Sequence, residues 1–279
     1  MQRRMDGMVA LITGASSGIG RALAEQLHAC GVKLALCARR MERLEDLNAM
    51  LGGGHLTVRA DVSRAEDCAA LIDQTVGRYG RIDLLVCNAG YGLICRVADT
   101  PLAEMRDIFA TNVFGTTECV RLAVPHMLKQ EPRDGLRGHI VIVSSAAARR
   151  GLPYFGAYSA TKAAQLSLAE ALRVELKPRG IYVTSVHPVG TDTEFFDRAS
   201  QTSGRQLPRR SAVEVRQTPQ HVARCIVRGI EKPRPEVWPA RSYRWLLALA
   251  AAFPSLGDRM LAGHVRAIDR SNRSSDEPS

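Results

Sequence analysis

The sequence predicts a doubly wound α/β fold, in which helices cover both faces of a parallel sheet. Apolar runs of strand length alternate with helical patterns from Val9 to Val186, as in chains that build parallel sheets. A cluster of glycines lies between the first strand-like run and the first helical pattern. The chain has 279 residues, of which 46% are hydrophobic, which is enough for one large domain with a buried core.

Six apolar runs are predicted as buried strands, and the segments between them as helices. The strands are 9–13, 33–37, 55–59, 84–87, 139–143 and 181–186. The helices lie near 19–30, 40–51, 64–78, 102–129 and 159–177. Ser63 followed by Glu66 has the pattern of a capping box, which supports the start of the third helix.

The alternation predicts a single domain, because no internal repeat or linker interrupts it. We assign residues 1–240 to this domain. Residues 241–269 form a helical extension, and the polar residues 270–279 are predicted to be disordered.

Charge and cysteine content exclude several classes of function. Of the 38 basic residues behind the net charge of +10, five are lysine, and the arginines are scattered without interleaved aromatics. This pattern argues against nucleic-acid binding and favours an acidic small molecule or a phosphorylated cofactor. The seven cysteines are widely spaced and contain no Cys-x-x-Cys pair, which predicts neither a disulfide framework nor a metal site.

The sequence also predicts a cytoplasmic location. The segment MQRRMDGM at the start lacks the apolar stretch of a signal peptide, and no run approaches the roughly 20 apolar residues of a spanning helix. Free thiols suit a reducing compartment.

The first turn, in VALITGASSGIGRALAEQL, has the composition of a phosphate-binding loop. Gly14, Gly18 and Gly20 end a strand and open a helix. Glycine lets the backbone turn tightly and approach a pyrophosphate, whose charge then lies at the helix N-terminus. A tight turn without a ligand is the alternative. A phosphate-binding turn at this position predicts a fold of the Rossmann type.

Tyr158 and Lys162 are four residues apart in a predicted helix, so their side chains share one face. Coincidence is the alternative, because such a pair is not rare. Carbonyl reduction needs a hydride at carbon and a proton at oxygen. Ionising a tyrosine near pH 7 requires about 4 kcal/mol, and an ammonium about 5 Å away supplies roughly 3 kcal/mol of it.

Seven motifs in order resemble the single-domain branch of the short-chain dehydrogenase/reductase (SDR) family. They span about residues 8–195 and are TGASSGIG (13–20), DV (61–62), NAG (88–90), TNVFG (111–115), VSSAA (143–147), YSATK (158–162) and HPVGTDT (187–193). The resemblance implies an oxidoreductase that interconverts a carbonyl and a secondary alcohol, with the proton from Tyr158.

The resemblance also implies the roles of single residues. The catalytic residues would be Asn112, Ser145, Tyr158 and Lys162, with Ser144 as the alternative serine. Asn112 would bend its helix and hold a water that links Lys162 to solvent, while Lys162 would also bind the nicotinamide ribose. The cofactor would be bound by Gly14, Ser16, Ser17, Gly18, Ile19, Gly20, Arg39, Arg40, Asp61, Val62, Asn88, Ala89, Gly90, Tyr158, Lys162, Pro188 and Thr193.

The end of the second strand predicts NADP(H) rather than NAD(H). An acidic residue there would bind the ribose 2′-hydroxyl of NAD, but the chain has Ala38 followed by Arg39 and Arg40. Guanidinium groups suit a 2′-phosphate. Solvated charges at a helix start are the alternative for Arg40.

Three functions stay open. The leading one is the NADP-dependent reaction on a small carbonyl or alcohol. A non-catalytic dinucleotide-sensing regulator and an NAD-dependent alcohol or hydroxysteroid dehydrogenase are the alternatives. The basic segment 194–217 is the expected substrate segment. Val189 stands where the family has glycine after the proline.

Two surfaces are predicted to contact other molecules. The helices near 102–129 and 159–177 are expected to pair in a homodimer or homotetramer. Residues 242–261 could line the substrate pocket, contact a subunit or lie on a membrane surface as an anchor. Leu246, Leu247 and Leu249 leave little polar face, so we favour burial against protein over peripheral membrane contact.

Overall fold

The computed structural model of the chain, which describes residues 2–195, 199 and 217–275, contains one parallel sheet of seven strands. The strands are β1 (Val9–Thr13), β2 (Lys33–Ala38), β3 (Leu56–Arg59), β4 (Leu84–Cys87), β5 (Gly138–Val143), β6 (Ile181–Val186) and β7 (Glu236–Val237). Their order is β3-β2-β1-β4-β5-β6-β7, and every neighbouring pair is parallel.

Helices cover both faces of the sheet, as the alternation of the sequence predicts. They are α1 (Gly18–Ala29), α2 (Met41–Met50), α3 (Ala65–Tyr79), α4 (Leu102–Phe109), α5 (Gly115–Lys129), α6 (Gly156–Leu176), α7 (Pro219–Glu231), α8 (Arg241–Ala252) and α9 (Pro254–Ser275). One core layer packs the sheet against α1, α2 and α7, and the other packs it against α3, α5 and α6. The predicted doubly wound, Rossmann-type fold is confirmed.

The strand order reverses between β1 and β4, which opens a crevice at the carboxyl ends of these strands. Thr13, the last residue of β1, closes the base of this crevice. Its hydroxyl donates to the Val86 carbonyl (3.2 Å) and accepts from the backbone N–H groups of Asn88 (3.0 Å) and Ala89 (3.1 Å). The turns that follow β1 and β4 are therefore fixed to one another.

Three local predictions need correction. The sheet has a seventh strand, β7, whose two residues are too few to give a sequence pattern. The helix predicted over 102–129 is interrupted by a π-helical turn at Ala110–Phe114. Ser63 does not cap α3, because its hydroxyl donates to Asp61 Oδ1 (2.7 Å) and Arg64 takes the N-cap position.

The C-terminal extension contains the helices α8 and α9, and it is not buried on all sides. Tyr243 and Leu247 pack on Trp238, and Ala250 is buried. The opposite side of the same segment is open in the single chain, with exposed fractions of 73% for Trp245, 41% for Leu246, 49% for Leu249, 59% for Phe253 and 45% for Leu256. Leu249 is therefore not buried within a single chain, and its burial against a second subunit stays a prediction.

Helix α9 continues to Ser275, so it includes residues 270–275 of the tail that was predicted to be disordered. The rest of the tail, 276–279, lies outside the described residues, as do 196–198 and 200–216 of the expected substrate segment. Among the helices that the structure describes, each is too short or too polar to cross a lipid bilayer.

Glutamate substitutions on α8 will distinguish its two sides. Leu247→Glu places a carboxylate against Trp238, so we expect the free energy of unfolding to fall by about 2 kcal/mol. Leu249→Glu, on the exposed side, should change it by less than about 0.5 kcal/mol. Urea denaturation followed by circular dichroism measures both, and equal losses in the two variants would contradict this assignment.

Candidate active site

The glycine turn between β1 and α1 is shaped by close backbone contacts. Gly14 has a φ of +67°, and a Cβ there would lie 2.9 Å from Ala89 Cα. A Cβ on Gly20 would lie 2.5 Å from Asn88 Nδ2, with the Gly14 carbonyl oxygen closer still. Alanine is therefore excluded at both positions, for backbone conformation at the first and for space at both. The glycine turn and the N-terminus of α1 together fit a pyrophosphate group.

The amide of Asn88 holds this turn against the end of β4. Its Nδ2 donates to the carbonyl oxygens of Thr13 (3.0 Å) and Gly14 (3.1 Å). Ala89 approaches the same turn through its backbone, while Ile19 packs against the core beneath it. The predicted residues of the first and fourth turns thus lie together, with Asn88 as a support of the loop.

Arg40 reaches across the glycine turn. Its guanidinium donates to the hydroxyls of Ser16 (3.2 Å) and Ser17 (3.0 Å) and to the Glu194 carboxylate (3.1 Å). Arg43 also donates to Glu194, and the hydrogen bonds from Arg43 and Arg40 lower the pKa of Glu194 to about 2 despite desolvation. The cluster therefore binds an anion beside the turn, here a carboxylate of the chain itself.

Arg39 lies on the open side of the crevice, next to the end of β3. Its Nη1 is 3.7 Å from Asp61 Oδ2, and 67% of its side chain is exposed. Val62, the next residue, is buried under the turn before α3. Ala38, the last residue of β2, has a small side chain without a carboxylate. The space between Arg39 and the glycine turn therefore has no acidic group from β2. A phosphate in this space would meet two guanidinium groups.

Tyr158 and Lys162 face the crevice from the first turns of α6, as their spacing predicts. Lys162 Nζ lies 5.6 Å from the centre of the Tyr158 ring. It donates to the Val143 carbonyl at the end of β5 (2.9 Å), and the lysine side chain is buried. Burial lowers the pKa of Lys162 to about 7.

The two serines after β5 have different environments. Ser144 is buried, and its hydroxyl donates to the Lys162 carbonyl (2.9 Å) inside α6. The Ser145 hydroxyl accepts from the Ala147 N–H (3.1 Å), and the same hydroxyl acts to lower the pKa of Tyr158. Burial has the larger effect and raises the pKa of Tyr158 to about 12. Ser145, not Ser144, is thus the serine that faces the tyrosine hydroxyl.

Asn112 lies in the π-helical turn, fully buried. Its side chain pairs with the backbone of Tyr91, accepting from the N–H (3.1 Å) and donating to the carbonyl (3.0 Å), and it also donates to Thr161 Oγ1 (3.0 Å). Gly90 comes so close that a Cβ would lie 2.9 Å from Asn112 Oδ1. The asparagine therefore links the fourth turn to α6 through its side chain, from a position within the π-helical turn.

Gln165, which the sequence analysis did not single out, connects Asn112 to Lys162. Its Oε1 accepts from Lys162 Nζ (2.8 Å), and its Nε2 donates to the Asn112 carbonyl (2.6 Å) and to Thr116 Oγ1 (2.9 Å). A polar side chain three residues after Lys162, on a buried helix face, was the signal in the sequence that would have identified it.

The segment after β6 closes one side of the crevice. The Pro188 carbonyl accepts from the Ala146 N–H (2.9 Å), and the methyl group of Thr193 lies against Gly18. Val189, at the position where the family has glycine, does not have a positive φ and packs against Ala146. The backbone at Val189 therefore has no need of glycine.

The Tyr158 side chain packs against a cluster of apolar side chains. The rings of Tyr158 and Phe195 meet edge to face with centroids 5.1 Å apart. Ile94, Leu152 and Val265 belong to the same cluster, so the C-terminal helix α9 contributes a side chain to it. Together with Ser145, the arrangement can deliver a proton to an oxygen atom on an apolar molecule.

Comparisons with known proteins agree with this geometry. A family model described as short chain dehydrogenase matches residues 8–204. "11-beta-hydroxysteroid dehydrogenase-like 2" of Arabidopsis thaliana is 34% identical over 261 residues, which cover 91% of this chain and 80% of the relative. "Dehydrogenase/reductase SDR family member 7B" of Xenopus tropicalis is 32% identical over 241 residues, with 82% and 76% covered.

Solved structures give the same result. A short chain dehydrogenase/reductase from Burkholderia phymatum in complex with NAD superposes with a TM-score of 0.81 at 28% identity, covering 91% of this chain and 96% of the other. A short chain dehydrogenase from Burkholderia cenocepacia in complex with NADP gives 0.76 at 27% identity, covering 94% and 99%. The chain therefore belongs to the short-chain dehydrogenase/reductase family and is an NAD(P)-dependent oxidoreductase.

Proposed function

We propose that this protein is an NADP(H)-dependent oxidoreductase that interconverts an apolar carbonyl compound and its secondary alcohol. The observation that carries the proposal is the grouping of Ser145, Tyr158 and Lys162 beside the glycine turn. The bound nicotinamide would supply or accept the hydride at carbon.

The three side chains divide the remaining work. Tyr158 gives its proton to the carbonyl oxygen in reduction and takes it back in oxidation. Ser145 hydrogen-bonds the same oxygen, which supports the charge that develops there. Lys162, with a charge about 5.6 Å from the tyrosine ring, favours the phenolate by about 3 kcal/mol at an effective dielectric of 20.

The preference for NADP(H) rests on charge. Arg39 and Arg40 flank the space beyond Ala38, and the Arg40–Arg43 pair already binds the carboxylate of Glu194. A 2′-phosphate is an anion of higher charge, and each charge-assisted hydrogen bond to it contributes about 1.5–3 kcal/mol. The structural relatives described above include one complex with NAD and one with NADP, so the choice is made by these local groups.

An apolar substrate fits the cluster around Tyr158. Phe195, Ile94, Leu152 and Val265 belong with Tyr158 to one cluster of apolar side chains. Several of the curated relatives are named for 11-beta-hydroxysteroid dehydrogenases, which supports a hydrophobic alcohol or ketone.

A homo-oligomer is part of the proposal. A groove of about 630 Å³ runs between α5 and α6, lined by apolar side chains that include Val120, Val124, Leu128, Leu168 and Leu172. Its two helices are the ones predicted from the sequence to pair across a two-fold axis, where each groove would receive the helices of a second copy.

Tyr158→Phe removes the proton donor and keeps the ring. We expect kcat for carbonyl reduction to fall at least 100-fold, because general acid catalysis contributes that much or more, with the Kd for NADPH nearly unchanged. Steady-state kinetics and nicotinamide fluorescence measure the two quantities. Tyr182→Phe, at the opposite end of the sheet, is the control. More than a tenth of wild-type turnover in Tyr158→Phe would remove the tyrosine from this role.

Wild type should bind NADPH at least tenfold more tightly than NADH, since a lost charge-assisted hydrogen bond costs more than 1.4 kcal/mol. The double substitution Ala38→Asp with Arg39→Leu should reverse the order, because a carboxylate suits the 2′-hydroxyl of NADH. Titration followed by nicotinamide fluorescence measures the Kd of each cofactor. Arg228→Leu, on the exposed side of α7, is the control and should leave both Kd values unchanged. Equal affinities in wild type would refute a role for the arginines.

The oligomer proposal is tested by light scattering after size exclusion. We expect a dimer or tetramer at micromolar concentration and a monomer for Leu172→Arg, which places a charge in the apolar groove. Met50→Arg, at an exposed apolar position on α2, should leave the mass unchanged. A monomeric wild type would contradict the proposal.

A further inference from the structure

Gln165 is fully buried, and each polar atom of its amide is paired. It lies on α6, three residues after Lys162, so its side chain projects from the same face of the helix. The hydrogen bonds that connect it to Lys162, Asn112 and Thr116 have lengths between 2.6 and 2.9 Å.

The chemistry of the partners fixes the orientation of the amide. An ammonium has only donors, so Gln165 Oε1 must face Lys162 Nζ. The Asn112 carbonyl has only acceptor capacity, so Nε2 must face it. Thr116 Oγ1 uses its own proton on the same carbonyl (2.8 Å) and therefore accepts from Nε2. A flipped amide would break all three contacts.

The family resemblance implies a water, held by Asn112, that links Lys162 to solvent, whereas in this chain the Gln165 amide itself joins Lys162 to the Asn112 carbonyl. We propose that Gln165 is a positioning residue of the reaction: it replaces a bridging water and holds the Lys162 ammonium charged and directed at the crevice. Its effect on turnover rests on the function proposed above, whereas its effect on Lys162 does not.

Two physical differences separate an amide from a water at this place. The amide is anchored covalently to α6, so the ammonium is held without ordering a solvent molecule. An amide also does not exchange its protons as water does, so the Gln165 bridge does not connect Lys162 to solvent protons. Lys162 therefore acts as a fixed charge through this contact.

The ammonium needs this support because it is out of water. Of its three N–H donors, one bonds to the Val143 carbonyl (2.9 Å) and one to Gln165 Oε1 (2.8 Å), which leaves the third for the crevice. Hydrogen bonds to the charged form oppose the loss of the proton that burial favours. Tyr158, on the same helix, is the ionisable side chain whose ring contacts Lys162.

Two substitutions separate the hydrogen bond from simple packing. Gln165→Leu fills the space and offers no acceptor, so Lys162 loses a partner. Gln165→Ala offers no acceptor either, but it leaves room for a water of about 30 Å³ that can bridge Lys162 and Asn112 again. If Gln165 only packed, the smaller side chain would be the more damaging one.

The first measurement does not depend on turnover. The chain has five lysines, so ¹³Cε NMR of lysine-labelled protein gives few signals, and Lys162→Arg assigns the one that matters. We expect the pKa of Lys162 to be lower by about one unit in Gln165→Leu, a tenfold change in the proton affinity. In Gln165→Ala the pKa of Lys162 should be lower by less than about half a unit. Gln74→Leu, on the exposed side of α3, should leave this pKa unchanged. An unchanged pKa in Gln165→Leu overturns the proposal.

The second measurement is the pH profile of alcohol oxidation. The rate rises as Tyr158 loses its proton, and a charged Lys162 moves that rise to lower pH. In Gln165→Leu we expect kcat to fall about tenfold with KM within twofold, and the rise to move up by about one pH unit. Gln165→Ala should recover to within about threefold of wild type. If kcat falls in both variants and the pH profile does not shift, the proposal is overturned. The proposed function is still supported in that case, because it rests on turnover by the wild-type enzyme.

Discussion

The buried ammonium of Lys162 is the group on which the rest of the site depends. A charge removed from water is unfavourable unless hydrogen bonds replace the lost hydration, and burial lowers the pKa of this lysine to about 7. The same removal from water makes the charge effective, because its field acts on Tyr158 with little screening. The fold must therefore keep the Lys162 side chain both protonated and out of contact with water.

Three elements meet to satisfy this requirement. The end of β5 offers the Val143 carbonyl, and the π-helical turn directs the Asn112 carbonyl into the protein instead of along a regular helix. Gln165 spans the gap from that carbonyl to the ammonium. A π-helical turn frees backbone groups that an unbroken helix would use. The freed Asn112 carbonyl can therefore accept a hydrogen bond from Gln165, which in turn bonds to Lys162.

The side of the crevice at the glycine turn is built differently, since its arginines suit an anion, whereas the other side holds the cation of Lys162. Close packing between Gly20 and Asn88 brings the backbone near the place of a pyrophosphate, and Arg40 crosses the turn to meet Glu194. The two sides share the carboxyl ends of β1, β4 and β5, which the reversal of strand order opens. The mutual placement of anion site and proton donor is thus a property of the sheet.

The sequence by itself determined the doubly wound sheet, six of its seven strands and the positions of the glycine turn, Ser145, Tyr158 and Lys162. These features depend on local periodicity and on short motifs, which one stretch of chain contains. The tertiary structure alone decided that Glu194 meets Arg40 and that Gln165 joins Lys162 to Asn112. It also decided that one side of α8 stays exposed. Each of these depends on segments far apart in the chain, and no local pattern encodes which of them will pack together.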